Sequence, residues 1–172
     1  MKSIQLHTDG SCPKGNPGRG GWAYIIVDSD VPGETAMYGG FKKTTNNRME
    51  IMAVLKGLES LSEPSSVEVY SDSEYVVKSI NTWLDSWIKK GRVMKNMDLW
   101  MLISRLKKKH SVHANWVKGH NGDYYNEQCD ELAYYGATQT DLSQDAGYIA
   151  SLIVAEKSTP KRKSFKHNFR MR

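Results

Sequence analysis

Three β-type runs in close succession, joined by turns too short to hold a helix, constrain the first quarter of this chain to an antiparallel meander. Ser3–Thr8 alternates, with Ile4 and Leu6 on one face and Gln5, His7 and then Asp9 on the other. A Gly/Pro/Asn-rich loop from Gly10 to Gly21 follows, then a short apolar run, Trp22–Val27, and a third run, Glu34–Lys43. Asn46 or Asn47 is placed to cap a helix whose apolar positions Ile51, Val54, Leu55, Leu58 and Leu61 share one face. Val67–Ser71 reads as the next strand. Helical patterns occupy Glu74–Ile80 and about Trp83–Lys89, and Leu99, Leu102, Ile103 and Leu106 mark a longer amphipathic helix ending near His110. His113–Val117 is a last strand and Asp123–Ala137 a last helix. A meander followed by strand–helix–strand units predicts an α/β fold, a five-stranded mixed sheet with helices on both faces. The right-handed crossover places the fourth strand beside and parallel to the first.

That topology gives four acidic residues a reason to meet. Asp9 follows the first strand in Thr8-Asp9-Gly10-Ser11, and Asp72 follows the fourth in Tyr70-Ser71-Asp72-Ser73. Neighbouring parallel strands are roughly 5 Å apart, and α/β sheets place ligands where the two sheet halves diverge. Glu50 and Asp130 lie in helical patterns. Each acid has a plainer explanation. Asp9-Gly10 is a turn dipeptide, and Glu50 stands where a capping-box glutamate after Asn47 would stand. Asp72 can cap a helix, and Asp130 can be a solvated face residue. If they converge, only a hard cation neutralises them, and oxygen ligation suits Mg²⁺ or Mn²⁺ and phosphate oxygens. Metal-assisted phosphoryl chemistry is the expectation.

Length and charge narrow the setting. The 172 residues suffice for one domain with a core, and no stretch approaches the ~18 apolar residues of a membrane span. Two cysteines, Cys12 and Cys129, show neither metal spacing nor a disulfide framework, so a reducing cytoplasm is expected. The net charge of +5 is unevenly spread. Residues 89–118 carry Lys89, Lys90, Arg92, Lys95, Arg105, Lys107, Lys108, Lys109 and Lys118 against Asp98, and the last 24 residues are strongly basic. Such concentration suits a polyanionic partner.

The acids also sit inside longer strings. Asp9-Gly10-Ser11-Cys12, Gly15-Asn16-Pro17-Gly18 and Gly20-Gly21-Trp22-Ala23 resemble the opening of type 1 ribonuclease H, the bacterial enzymes most closely. Thr44-Thr45-Asn46-Asn47-Arg48-Met49-Glu50, Tyr70-Ser71-Asp72-Ser73-Glu74-Tyr75-Val76 and Lys95-Asn96-Met97-Asp98-Leu99-Trp100 continue the match. Trp116-Val117-Lys118-Gly119-His120-Asn121-Gly122 and Asn126-Glu127-Gln128-Cys129-Asp130-Glu131-Leu132-Ala133 complete it, in order, over about residues 3–148. The resemblance implies a ribonuclease H-like fold. It also implies an endonuclease that hydrolyses the RNA strand of RNA–DNA hybrids, leaving 5′-phosphate and 3′-hydroxyl ends. Asp9, Glu50, Asp72 and Asp130 would bind two Mg²⁺ ions, with Mn²⁺ able to substitute, and Asp9 is the best placed to bridge them. His120, between glycine-rich neighbours, would be a proton shuttle; its plainer reading is an exposed loop histidine.

The same resemblance assigns substrate contacts. Asn16, Asn47, Glu74 and backbone groups at Cys12 would touch the hybrid, and Asn46 would reach toward the DNA strand. Several relatives carry Gln at the position of Glu74, and a carboxylate can accept from a 2′-hydroxyl but cannot donate. Lys43, Thr45 and Asn96 would grip a DNA phosphate. Trp83 and Trp87, spaced i, i+4 before Lys89 and Lys90, are either a buried aromatic stripe or part of a basic handle resting on DNA. Lys107-Lys108-Lys109 ends a helix, where cations complement the dipole.

The domain division expected is a catalytic unit over 1–148 and a basic, flexible tail over 149–172, where periodicity lapses and Pro160 interrupts. That tail is either dispensable or an arm adding non-specific nucleic-acid contacts. The protein is expected to act as a monomer, away from membranes. Rival readings are another nuclease of the same superfold, a hybrid-binding module without activity, and a polymerase-associated domain.

Overall fold

The computed structural model describes residues 1–158. Strands β1 (Lys2–Ser11), β2 (Gly18–Asp28) and β3 (Glu34–Thr44) form the expected meander, then α1 (Asn46–Glu59) crosses over to β4 (Ser65–Ser71). The helical stretch that follows consists of α2 (Glu74–Lys78), a π-helical turn (Ser79–Trp83) and α3 (Leu84–Lys89). After it come α4 (Met97–Lys109), β5 (Ser111–Trp116), α5 (Tyr124–Ala137) and α6 (Ala146–Ser158). The sheet order is β3-β2-β1-β4-β5, with β1, β4 and β5 parallel and β2 antiparallel to both of its neighbours.

Alternation along β1 sends its residues to two helix layers. Leu6 packs against Gly57 of α1, while His7, one residue on, stacks on Tyr125 of α5 with ring centroids 4.3 Å apart. The larger core lies on the α1 side. Ile4, Leu6, Val67 and Val69 from the sheet meet Met49, Val54 and Leu58 of α1, with Ile80, Leu84, Trp100 and Ile103 beyond. Each such side chain contributes about 1.5–3 kcal/mol by leaving water.

Three local expectations are corrected. The cap of α1 is Thr45, whose hydroxyl accepts from Arg48 N–H at 3.3 Å, rather than Asn46 or Asn47. Asn46 is already helical, and its side-chain oxygen accepts from Cys12 N–H instead. The two patterns at 74–89 form one continuous helical stretch, because the π turn inserts an extra residue without breaking it. Lys107 ties α4 to that turn, its Nζ donating to Ile80 O at 2.8 Å. Residues 149–158, expected as flexible chain, are helical. Asp145 starts α6 by accepting from Tyr148 N–H at 3.1 Å. The apolar residues of α6 leave only Tyr148 buried and encircle the helix, so the sequence shows no amphipathic stripe. The rest of the expected tail, 159–172, lies outside the described residues.

Candidate active site

Asp9 stands near the carboxyl end of β1, and Asp72 is the first residue after β4. The parallel register pairs His7 with Tyr70, which two residues on sets Asp9 level with Asp72. Glu50 comes from the first turns of α1. A Cβ at Gly10 would collide with the backbone of Met49 and Glu50, so glycine is what lets α1 approach β1 this closely. The result is a triad. One carboxylate oxygen from each of Asp9, Glu50 and Asp72 lies within 4.8 Å of the other two.

With Thr45 as the cap, the third helical residue is Arg48, so Glu50 is not a capping-box glutamate. It is buried, and its Oε2 has no hydrogen-bond partner among the described residues. Burial pushes the Glu50 carboxyl well above its ordinary range, and the charges of Asp9 and Asp72 add to this. Asp9 is pushed up to about 7, by burial first and then by Asp72, against the opposing Gly10 N–H donated to its Oδ1 at 2.8 Å. Carboxylates packed this tightly ionise together only beside positive charge. An all-oxygen donor set with an unpartnered buried oxygen fits a hard divalent cation.

Asp130 sits in the middle of α5, outside the tight triad but near enough for its charge to raise Asp9. Its Oδ2 is 4.0 Å from Nδ1 of His120. The His120 side chain is 78% exposed on a loop with φ 53°, poised at the rim. Gly119 lets this loop come close, since a Cβ there would lie 2.6 Å from Oδ2 of Asp72.

The expected substrate contacts separate into groups. Asn16, Asn46 and Cys12 are linked: Cys12 N–H donates to Asn46 Oδ1 at 3.2 Å, and Asn46 N–H to Asn16 Oδ1 at 3.1 Å. This fixes the β1–β2 loop on the start of α1. Asn16, Asn47, Thr45 and Asn96 then line one cleft of about 210 Å³ together with Pro17 and Lys95. Lys43 is exposed on β3 and lies outside that lining, where Lys95 supplies the cation. Trp83 keeps 38% of its surface exposed, whereas Trp87 is 8% exposed and packs edge-on against Trp100. Trp83 faces solvent at the π turn while its ring stays in contact with Trp87, centroids 5.9 Å apart, and Lys89 and Lys90 are exposed at the end of α3. Glu74 is exposed and paired with Lys78 at 2.9 Å.

Sequence reasoning missed what supports this cleft. Arg48 is 3% exposed and forks onto Asp98 through two bonds of 2.9 Å. It also bonds Asp145 at 2.8 and 3.1 Å, and its Nη1 reaches Asn96 Oδ1 at 3.3 Å. Thr44 Oγ1 donates to Asp145 at 2.7 Å. Asn96 is held in a left-handed conformation, φ 62°, at the start of α4. Arg48 and Asp98 stood in the quoted strings without an assigned task, and Asp145 carried no sequence signal.

Comparison with known proteins gives the family and agrees with the fold. The sequence model of the RNase H family matches residues 1–138. A ribonuclease H of Aeromonas hydrophila is 46% identical over 154 residues, 86% of this chain and 98% of that protein. A ribonuclease HI of Campylobacter jejuni is 45% identical over 146 residues, 84% of this chain and 98% of its own length. Among solved structures, LC9-RNase H1, described as a type 1 RNase H with the type 2 active-site motif, superposes with a TM-score of 0.72 at 25% identity. That match covers 88% of this chain and 81% of the other.

Proposed function

From the premise that this chain belongs to the RNase H family and is a ribonuclease H enzyme, we propose that it cleaves the RNA strand of RNA–DNA hybrids internally, leaving 5′-phosphate and 3′-hydroxyl ends. The observation that carries this reading is the Asp9–Glu50–Asp72 triad with its unpartnered Glu50 oxygen. Two Mg²⁺ ions, or Mn²⁺ in their place, would be held by Asp9, Glu50, Asp72 and Asp130 and would ease both the ionisation of water and the build-up of charge on the leaving 3′-oxygen. In the reaction, water oxygen bonds phosphorus, the bond from phosphorus to the 3′-oxygen breaks, and the 3′-oxygen ends protonated. His120 is placed to carry a proton at the rim, where it remains in contact with solvent.

Binding follows from the surroundings. Asn16, Asn47 and the Cys12 loop meet the minor groove, where ribose 2′-hydroxyls distinguish RNA from DNA. The cleft of Thr45, Lys95 and Asn96 takes a phosphate of the DNA strand, with Asn46 on the same side. Trp83, Lys89 and Lys90 form the outer part of this surface. We further propose that residues 1–148 are the catalytic unit and that the protein acts as a monomer in the cytoplasm, which the two unpaired cysteines support; no helix among the described residues is long and apolar enough to cross a membrane. The test is strand-specific cleavage of a labelled hybrid, set against duplex DNA and duplex RNA, with and without EDTA. Cleavage of the RNA strand in the hybrid alone, abolished by EDTA, is expected. Equal cleavage of duplex RNA, or full activity in EDTA, would overturn the reading.

A further inference from the structure

Trp116 is a large aromatic that the fold leaves 51% exposed at the rim of the triad. It ends β5 opposite Ser71 of β4, and its indole N–H donates to the carbonyl oxygen of Asp72 at 3.0 Å. One edge of the ring is therefore pinned to the backbone of a triad residue. On the other side α2 begins, presenting Glu74, Val77 and Lys78 at i, i+3 and i+4. These three and Trp116 line a largely apolar cleft of about 310 Å³. The cleft lies on the β5 side of the triad. Asn16 lies in the β1–β2 loop, on the opposite side of the triad in the sheet order β3-β2-β1-β4-β5.

We propose that Trp116 and Lys78 form a subsite for one nucleotide of the RNA strand flanking the cleaved bond, the indole packing on its ribose and Lys78 receiving its phosphate. The proposal rests on the hybrid-nuclease reading and extends the substrate surface past the family-matched contacts. The chemistry of the cleft is that of a nucleotide. Bases of a hybrid are paired and stacked on one another, so the indole meets the ribose at the groove edge, which every nucleotide presents alike and which suits a sequence-tolerant enzyme. Lys78 Nζ carries three donors, and its bond to Glu74 Oε2 at 2.9 Å uses one of them. The Glu74–Lys78 pair also removes the repulsion an isolated carboxylate would exert on phosphate. Glu74 is thereby free to accept from a 2′-hydroxyl through its second oxygen.

The test couples a change in the protein to a change in the RNA. Hybrids carrying one ring-opened (acyclic) ribonucleotide, which keeps base and phosphate, at successive positions around a mapped cleavage point are bound, in EDTA so that none is cut, to the wild type, Trp116→Ala, Trp116→Phe and Lys78→Gln. One acyclic position weakens wild-type binding by roughly 3- to 30-fold, the worth of burying one sugar face against the ring. Trp116→Ala weakens binding of the intact hybrid comparably and no longer responds to that position, whereas Trp116→Phe retains most of both. With Mg²⁺ restored, Trp116→Ala raises KM and leaves kcat nearly unchanged. The proposal is overturned if Trp116→Ala binds like wild type, or if its loss is the same at every acyclic position. It also falls if kcat drops at constant KM, the mark of a residue that merely braces Asp72. Failure of the wild type to cut any hybrid counts against the activity reading, while the binding series still decides the subsite.

Discussion

Replacing Asp145 by Ala is expected to destabilise the protein by about 3 kcal/mol, and the structure supplies the terms. Arg48 is buried and divides its donors between Asp98 and Asp145. Removing one partner of a buried ion pair typically costs about 3–5 kcal/mol, because the remaining charge stays desolvated. Here Asp98 remains, bonded through both oxygens, which holds the cost at the lower end of that range. The side chain also caps α6 and accepts from Thr44, each bond worth about 1 kcal/mol, but these overlap with the first loss and are not added in full. For a chain of this size about 3 kcal/mol lowers Tm by roughly 6–12 °C. Urea unfolding read by tryptophan fluorescence and by circular dichroism measures it, with Asp145→Asn as the variant that keeps shape and loses charge. Because Arg48 also reaches Asn96, affinity for a hybrid is expected to fall while the triad keeps kcat near its normal value. A change below about 1 kcal/mol with the fold intact would show that Asp98 alone satisfies Arg48, and the reasoning would be wrong.

Further outcomes follow from the site. Asp9→Asn is expected to keep the fold and hybrid binding and to lose essentially all cleavage; near-normal turnover in Mg²⁺ would remove Asp9 from the site. The raised Asp9 pKa, about 7 against an ordinary 3.8, means that the folded state holds this proton more tightly than the unfolded chain. Stability from this group is complete below about pH 4 and is lost as pH rises through about 7, so in EDTA the Tm should fall over that window, and Asp9→Asn should flatten the fall. Burial pushes Asp98 up but the Arg48 bonds outweigh it, leaving its pKa lowered; its contribution, small because the carboxylate is half exposed, is instead lost as pH drops below the ordinary carboxylate range. His120→Ala should slow turnover by about 10- to 1,000-fold without abolishing it, and an unchanged rate across pH 6–9 would reduce His120 to a loop residue. Deleting residues 159–172, which hold Lys161, Arg162, Lys163, Lys166, Arg170 and Arg172 and no acid, should weaken low-salt binding. It should also flatten the slope of log K against log salt by about 0.7–0.9 for each phosphate released; identical slopes would exclude an electrostatic arm.

The parts of this fold legible in the sequence are those written in a local period. Alternation at Ser3–Thr8 and the stripe from Ile51 to Leu58 each reflect a single element against a single core, so strand order followed from turn length and crossover handedness. Convergence of Asp9, Glu50 and Asp72 was legible for a related reason: two of them end adjacent parallel strands, and register does the rest. Caps are less legible. Thr45, Asn46 and Asn47 are all competent cap residues, and the choice of Thr45 was made by Cys12 and Asn16, which occupy Asn46 from a loop about 30 residues away.

What the sequence hid is what depends on a distant partner. Glu74–Ile80 and Trp83–Lys89 read as two short helices, whereas the buried residues Val76, Ile80, Leu84 and Trp87 run along one stretch whose π turn spreads the first three at four-residue spacings, and the turn is held in part by Lys107, a residue that as part of a basic run suggested only dipole complementation. The same holds for α6, whose start depends on an Asp145 already bound to Arg48 about 100 residues earlier. These long-range ties share a destination. Arg48 leads to Asn96 and Thr45, and Trp116 leads to the Asp72 carbonyl. The residues that shape the proposed substrate surface are therefore less visible in local sequence than the triad carboxylates. A carboxylate placed for catalysis needs only the right element end, whereas its supports must satisfy hydrogen-bond geometry across several elements at once.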